Sequence, residues 1–136
     1  MELNEGQINA LKIAVSRFKE GQKCTVISGW AGSGKSTTVR AIIEELGLSE
    51  AEVAFATYTG KAAQVLQKKG NQNAMTLHKL LYKSIPNEDG TFTHEPLDFL
   101  PYSLVVVDEV SMAPKEMMNL LFSHQETQVI CLGDEA

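Results

Sequence analysis

The run Gly29-Trp30-Ala31-Gly32-Ser33-Gly34-Lys35-Ser36-Thr37 has the residue types and the spacing to hold a chain of phosphates. It satisfies G-x-x-x-x-G-K-[ST] at every specified position. The glycines let the backbone curl until several N–H groups face one anion, and the start of a following helix adds its partial positive charge. Lys35 can reach the terminal phosphates, and the Ser36 hydroxyl can ligate Mg²⁺. Gly29, Gly32, Ser33, Gly34, Lys35, Ser36 and Thr37 are therefore the candidates for phosphate binding. The alternative is a glycine-rich turn with an incidental lysine, and the flanking sequence argues against it. Thr25-Val26-Ile27-Ser28 reads as a short buried strand, and Val39, Ile42, Ile43 and Leu46 fall at helical spacing up to a stop at Gly47.

A second set of chemical residues follows an unbroken apolar run. Leu104-Val105-Val106-Val107 reads as a buried parallel strand that delivers Asp108 and Glu109 at its carboxyl end. In phosphoryl-transfer chemistry Asp108 would hold Mg²⁺ alongside Ser36, and Glu109 would position or deprotonate an attacking water. The bland reading of this pair is capping charge at a helix start. Two further strands end in polar segments: Val53–Thr57 leads into Thr59-Gly60-Lys61, and Gln128–Leu132 leads into Gly133-Asp134. In an open parallel sheet, ligands bind beyond the carboxyl ends of the strands, so all four segments point to one crevice, with Asp134 among its nucleotide-binding candidates.

The elements that must position these residues alternate. Asn4 and Gln7 form a variant capping box ahead of a helix whose Ile8, Leu11, Val15 and Phe18 share one face, with Gly21 as its stop. The Gln7 amide can close that cap or pair with an adenine edge. Ala62, Ala63, Val65 and Leu66 mark a short helix ending near Gly70. Thr76 reads as the cap of another, with Leu77, Leu80 and Leu81 turned inward. A helix from about Pro114 has Leu120, Leu121 and Phe122 on its apolar face. Four strands alternating with helices predict an α/β fold with a mainly parallel sheet. Ser84–Ser103 breaks the pattern. Its Pro86-Asn87-Glu88-Asp89-Gly90 turn predicts a small β-hairpin insertion, with Phe92 near the tip. Phe92 is either exposed there or packed back on the domain, and the residues alone favour packing.

The 136 residues, 43% of them hydrophobic, fit one globular domain with a real core. No apolar run is long enough to span a bilayer, and the start is polar and acidic, so a cytoplasmic location and no membrane partner are expected. Cys24 and Cys131 lie far apart in sequence without metal-type spacing, which predicts two reduced, partly buried thiols. The net charge of −5 excludes a wholly basic nucleic-acid binder. Val53–Asn87, however, has no acidic residue and holds Lys61, Lys68, Lys69, Lys79 and Lys83. Such a face can track a polyanion or be an ordinary solvated surface.

Read together, these motifs resemble superfamily 1 DNA helicases of the RecD/Dda type. Leu3-Asn4-Glu5-Gly6-Gln7 is similar to the Q-motif, Thr57-Tyr58-Thr59-Gly60-Lys61-Ala62-Ala63 to motif Ia, and Thr76-Leu77-His78 to the Thr-Ile-His segment. Val107-Asp108-Glu109-Val110-Ser111-Met112 is similar to that branch's Walker B, and Leu132-Gly133-Asp134 to the opening of motif III. The resemblance implies a three-layer P-loop NTPase (RecA-like) domain over residues 1–136 with ATP and Mg²⁺ as cofactors. It also implies adenine contact by Gln7, and a single-stranded DNA track at Thr59, Lys61, Thr76 and His78. Residues 84–103 occupy the place of the family's pin hairpin, which raises Phe92 as a base-contacting residue. The implied activity is the ATP-binding motor of a 5′-to-3′ DNA helicase. The motif III glutamine, the second RecA-like domain and its arginine finger lie beyond this sequence, so weak turnover by the chain alone is expected. Two alternatives are a small P-loop kinase and a nucleotide-gated binding module without turnover. Arg17 and Arg40, both on early helices, give a kinase no arginine-bearing lid.

Overall fold

The computed structural model describes residues 5–29, 35–68 and 73–134, and the side chains of these except 28, 29, 35–37 and 134. Helix α1 (Glu5–Lys19) is followed by strand β1 (Cys24–Gly29), helix α2 (Lys35–Leu46) and strand β2 (Val53–Thr57). Then come helix α3 (Gly60–Lys68), strand β3 (Ala74–Thr76) and helix α4 (Leu77–Leu81). Strands β4 (Tyr82–Pro86) and β5 (Phe92–Pro96) precede strand β6 (Leu104–Val107), helix α5 (Lys115–Ser123) and strand β7 (Gln128–Asp134).

Five strands form one sheet in the order β1-β7-β6-β2-β3, with every neighbouring pair parallel. Parallel strands with helices on both faces must be apolar on both faces, and β6 meets that demand: Leu104, Val105, Val106 and Val107 are all fully buried. Leu104 and Val106 face the layer of α1 and α2, packing with Ala14, Val39 and Ile42. Val105 and Val107 face α4 and α5, packing with Leu77, Leu81, Met117 and Leu121. Burying each Val or Leu side chain contributes about 1.5–3 kcal/mol, so this four-residue strand is a main source of cohesion between the layers. Among the described residues, no helix is long and apolar enough to cross a membrane.

The local signals behave as their chemistry requires. Gly21 and Gly47 adopt φ of +77° and +71° just past α1 and α2. At each, the turn closes by hydrogen bonds back into the helix, from Gln22 N–H to the Arg17 carbonyl and from Leu48 N–H to that of Ile43. Thr76 caps α4 by accepting a hydrogen bond from the Lys79 N–H, and Leu77, Leu80 and Leu81 are buried beneath it.

Several sequence expectations need correction. The sheet has a fifth strand, β3, whose three residues are too short to show an alternation. The expected burial of β1 fails at Val26, which is 67% exposed, because β1 is the edge strand of the described sheet. On α1, Ile8 is exposed, and the packed face runs through Ala10, Leu11, Ala14, Val15 and Phe18. Val65 on α3 is also exposed, leaving Ala63 and Leu66 to bury that helix. Pro114 stands one position before α5 rather than within it, and the fully covered face of α5 is Met117, Met118 and Leu121. Leu120 and Phe122 are only partly buried. The antiparallel hairpin of β4 and β5 begins two residues earlier than expected, at Tyr82. Phe92 does not pack back: it is 62% exposed, on a strand whose five residues are all exposed. Asn4, the other half of the capping box, and Lys69 and Gly70 lie outside the described residues.

Candidate functional site

The register of the sheet brings the strand ends together. Gly29 at the end of β1 stands opposite Asp134 at the end of β7. On β6, Val107 stands opposite Cys131 of β7 and Ala56 of β2. Because all these strands run the same way, the start of the glycine-rich loop, Asp108 and Asp134 leave the sheet along one rim. Helix α2 begins at Lys35, so Lys35, Ser36 and Thr37 occupy its first turn, where free backbone N–H groups favour an anion. Trp30, Ala31, Gly32, Ser33 and Gly34 lie outside the described residues, as do the side chains of Lys35, Ser36, Thr37 and Asp134.

The Asp108–Glu109 pair is held by its backbone. The Asp108 N–H donates to the Ala56 carbonyl at 2.9 Å, extending the β2–β6 ladder by one residue beyond the strand. Its Oδ1 accepts the Glu109 N–H at 2.9 Å. That bond fixes the carboxylate's direction and leaves Oδ2 without a bond to this amide. Glu109 takes φ 51° and ψ 50°, and it is the sole non-glycine residue with positive φ among those described. A left-handed conformation costs an L-residue roughly 1–2 kcal/mol. The turn is retained by the short helix that follows, in which Met112 N–H donates to the Glu109 carbonyl and Ala113 N–H to that of Val110. The result swings an exposed Glu109 side chain off the strand axis while Asp108 stays half-buried at the rim.

The donor set bears on which cation could be held. Among the described residues no group of three or more His, Cys, Asp and Glu side chains could hold a metal by itself. One hard carboxylate and a hydroxyl at a helix start suit Mg²⁺, an ion that takes few protein ligands and completes its shell with phosphate oxygens and water. Asp108 and Ser36 fit that requirement by chemistry.

The β2 end is organised by threonines. Thr57 is buried, and its hydroxyl donates to the Thr59 carbonyl at 2.9 Å. The Thr59 hydroxyl accepts the Ala62 N–H at 3.2 Å and so caps α3. Sequence reasoning passed over Thr57, although a Thr-x-Thr step after a strand is a usable signal for such a turn. Thr59 and Thr76 are thus each a helix cap already, each with a hydroxyl proton still to place. Thr57 pairs with Thr76 across β2 and β3, which puts these two segments side by side. His78 is exposed, its ring 5.9 Å from that of Tyr82 in a tilted contact. Lys61, Lys68, Lys79 and Lys83 are exposed on α3, α4 and β4. Gln7 is half-buried in the first turn of α1. Phe92 stands at the far end of the hairpin, opposite Pro86.

A three-layer parallel α/β sheet whose first strand enters a G-x-x-x-x-G-K-S loop, and whose central strand ends in Asp-Glu, defines a P-loop NTPase core of the RecA-like kind. Comparison with known proteins narrows this. Residues 2–136 match the AAA domain family. The ATP-dependent RecD2 DNA helicase of Deinococcus radiodurans is 37% identical over 119 residues, which cover 84% of this chain and 16% of that protein. The RecBCD enzyme subunit RecD of Mycolicibacterium smegmatis is 32% identical, across 96% of this chain and 27% of its own length. The ATP-dependent DNA helicase dda of Enterobacteria phage T4 is 31% identical, across 90% of this chain and 29% of its own length. The chain belongs to the AAA domain family, and its resemblance to the RecD/Dda-type helicases of superfamily 1 holds along most of its length. It spans less than a third of each of these relatives.

Proposed function

We propose that this chain is the ATP-binding motor domain of an ATP-dependent DNA helicase of 5′-to-3′ polarity, coupling ATP hydrolysis to movement on single-stranded DNA. The observation that carries the reading is the alignment of the β1, β7 and β6 ends along one rim, which brings Gly29, Asp134 and Asp108 to the same side of the sheet. In this reading Gly29, Gly32, Ser33, Gly34, Lys35, Ser36 and Thr37 hold the phosphates, and Asp134 borders them. Gln7 reads the adenine edge. Mg²⁺, held by Ser36 and Asp108, would supply charge neutralisation at the phosphates. Lys35 and the loop N–H groups stabilise negative charge that develops during transfer. Glu109 orients the attacking water and accepts its proton.

Single-stranded DNA would run past Thr59, Lys61, Thr76 and His78, over the basic surface of residues 53–87. Residues 84–103, with the observed hairpin at their start, would act as a pin, Phe92 stacking on a base at its end. Unwinding belongs to the longer protein, in which a second RecA-like domain would complete the nucleotide site.

Steady-state ATP hydrolysis with and without single-stranded DNA tests the proposal. Turnover that rises with DNA, vanishes in Lys35→Ala and falls at least tenfold in Glu109→Gln is expected. Turnover that survives Lys35→Ala, or transfer of phosphate to a small acceptor instead of water, would overturn it.

A further inference from the structure

Two thiols that the proposed motor does not use meet between the first and last strands. Parallel pairing sets Cys24 opposite Val129 and Val26 opposite Cys131, so the two cysteines are diagonal neighbours on the α4/α5 side of the sheet. Their sulfurs lie 3.7 Å apart, in contact and unbonded. The surroundings of the two differ. Cys131 is 3% exposed within the core. Cys24 is half-buried at the start of the edge strand of the described sheet, one pleat from the exposed Val26, and is the more accessible of the two.

Positive charge is fixed beside Cys24. The Arg17 guanidinium donates through Nη2 to the Cys24 carbonyl at 2.7 Å and through Nε to the Thr25 hydroxyl at 3.1 Å. Lys23 precedes Cys24, its ammonium tied to the carbonyls of His124 and Thr127. The hydrogen bond from Cys131, helped by Arg17 and Lys23 and opposed by burial, draws the Cys24 thiol down to about 7. The same contact, burial and the neighbouring Cys24 push Cys131 the other way. A thiolate-prone, reachable sulfur thus touches a buried sulfur that keeps its proton, a division suited to attack by one and resolution by the other.

We propose that Cys24 and Cys131 form an oxidation-sensitive dithiol, with Cys24 the sulfur that reacts with a hydroperoxide and Cys131 the sulfur that resolves it. The Cys24 thiolate attacks one oxygen of hydrogen peroxide. The O–O bond breaks, hydroxide departs, and Cys24 becomes a sulfenic acid while the peroxide is reduced. The Cys131 thiol then attacks the Cys24 sulfur. An S–S bond forms, the S–O bond breaks, and the leaving hydroxide takes the Cys131 proton as water. Diagonal neighbours in a sheet have Cα atoms about 7–8 Å apart, at the outer limit for a disulfide, so closure of the sulfurs to about 2.05 Å draws the start of β1 toward β7 as well as turning the side chains. The product ties β1, which leads into the glycine-rich loop, to β7, which ends at Asp134. A dithiol reductant reverses it by exchange.

The test is intact-mass and peptide mapping of the unmodified chain after graded hydrogen peroxide, with remaining thiols alkylated after acid quench and unfolding in denaturant, so that the buried Cys131 is reachable. The expected result is loss of two hydrogens per chain, protection of both cysteines from alkylation, and a linked peptide pair containing Cys24 and Cys131 that dithiothreitol separates. Cys131→Ser should stop at a Cys24 sulfenic acid captured by dimedone, and Cys24→Ser should leave Cys131 alkylatable at the same dose. The proposal is overturned if both wild-type thiols stay alkylatable, if Cys24 advances to the sulfinic acid without linkage, or if the link forms between two chains. The wild-type measurement decides these points without relying on the folding of either variant.

Discussion

Strand β6 and the hairpin of β4 and β5 lie next to each other in sequence and are stabilised by opposite means. In β6 all four side chains are buried, two against each helical layer. In β5 all five residues are exposed. The hairpin instead depends on short-range polar bonds: Asn87 N–H to the Thr91 carbonyl at 2.8 Å, Thr91 N–H and hydroxyl to Asp89 Oδ1, and Ser84 with His94 across the strands. At its base, the Leu97 N–H donates to the Leu81 carbonyl. Burial in β6 holds Asp108 at a fixed place on the rim. Local bonds let the hairpin project an exposed Phe92 without committing the core to its position. An isolated two-stranded hairpin is marginal in water, so its order depends on attachment to the domain.

The sharpest way to break this contrast is to damage the two regions equally and compare the losses. Leu104→Ala removes a fully buried side chain shared by the sheet and the α1/α2 layer. It should cost about 2–5 kcal/mol, read as a drop in urea midpoint at unchanged slope. A loss as small as a surface substitution would show that β6 is not the cohesive strand.

Glu109→Gly probes the end of the same strand. It relieves a positive φ, at the expense of a more flexible unfolded chain, and should raise stability by up to about 1 kcal/mol. If Glu109 orients the attacking water as proposed, ATP turnover should fall with it. A variant that is both destabilised and active would contradict the reading of a strained functional turn.

Phe92→Ala should move stability by no more than about 0.5 kcal/mol, since the ring is exposed. Its affinity for single-stranded DNA, followed by fluorescence anisotropy, should weaken by the equivalent of about 1 kcal/mol or more if the ring stacks on a base. Lower stability with unchanged DNA binding would make Phe92 a structural residue.

The smallest effect expected is on acidification of the hairpin turn. The side-chain and backbone hydrogen bonds from Thr91 hold the Asp89 carboxyl below its ordinary range. A depressed carboxyl contributes its full stabilisation above the unfolded value and loses it as pH falls through the folded one. The Thr91 amide resonance should therefore titrate below the usual carboxylate range while amides of β6 stay constant, and Asp89→Asn should abolish the titration.

What the sequence made legible follows from the range of the forces. Buried parallel strands and helix stops are written locally, so β2, β6, Gly21, Gly47 and the Thr76 cap could be read in advance. Strand order could not, because it depends on which strands pair across the chain. The exposure of Val26 followed from that order, as did the contact between Cys24 and Cys131, residues at opposite ends of the sequence. β3 escaped notice because three residues carry no alternation. The turn of the hairpin was plain in Pro86–Gly90, but the placement of Phe92 depended on what covered the strand. At the candidate site, Asp108 and Glu109 stood out through their apolar approach. The left-handed turn at Glu109 gave no signal, since no glycine or asparagine marks it.

If the glycine-rich loop and the end of β6 form one nucleotide site, as proposed, ATP and Mg²⁺ binding must depend on both. Equilibrium binding of ATP, with and without Mg²⁺, to the wild-type chain, Lys35→Ala and Asp108→Asn tests it most directly. Lys35→Ala should lose binding under both conditions, whereas Asp108→Asn should bind ATP alone as the wild type does and lose the gain that Mg²⁺ provides. Wild-type response to Mg²⁺ in Asp108→Asn, with Lys35→Ala impaired, would show that Asp108 lies outside the site that holds the phosphates.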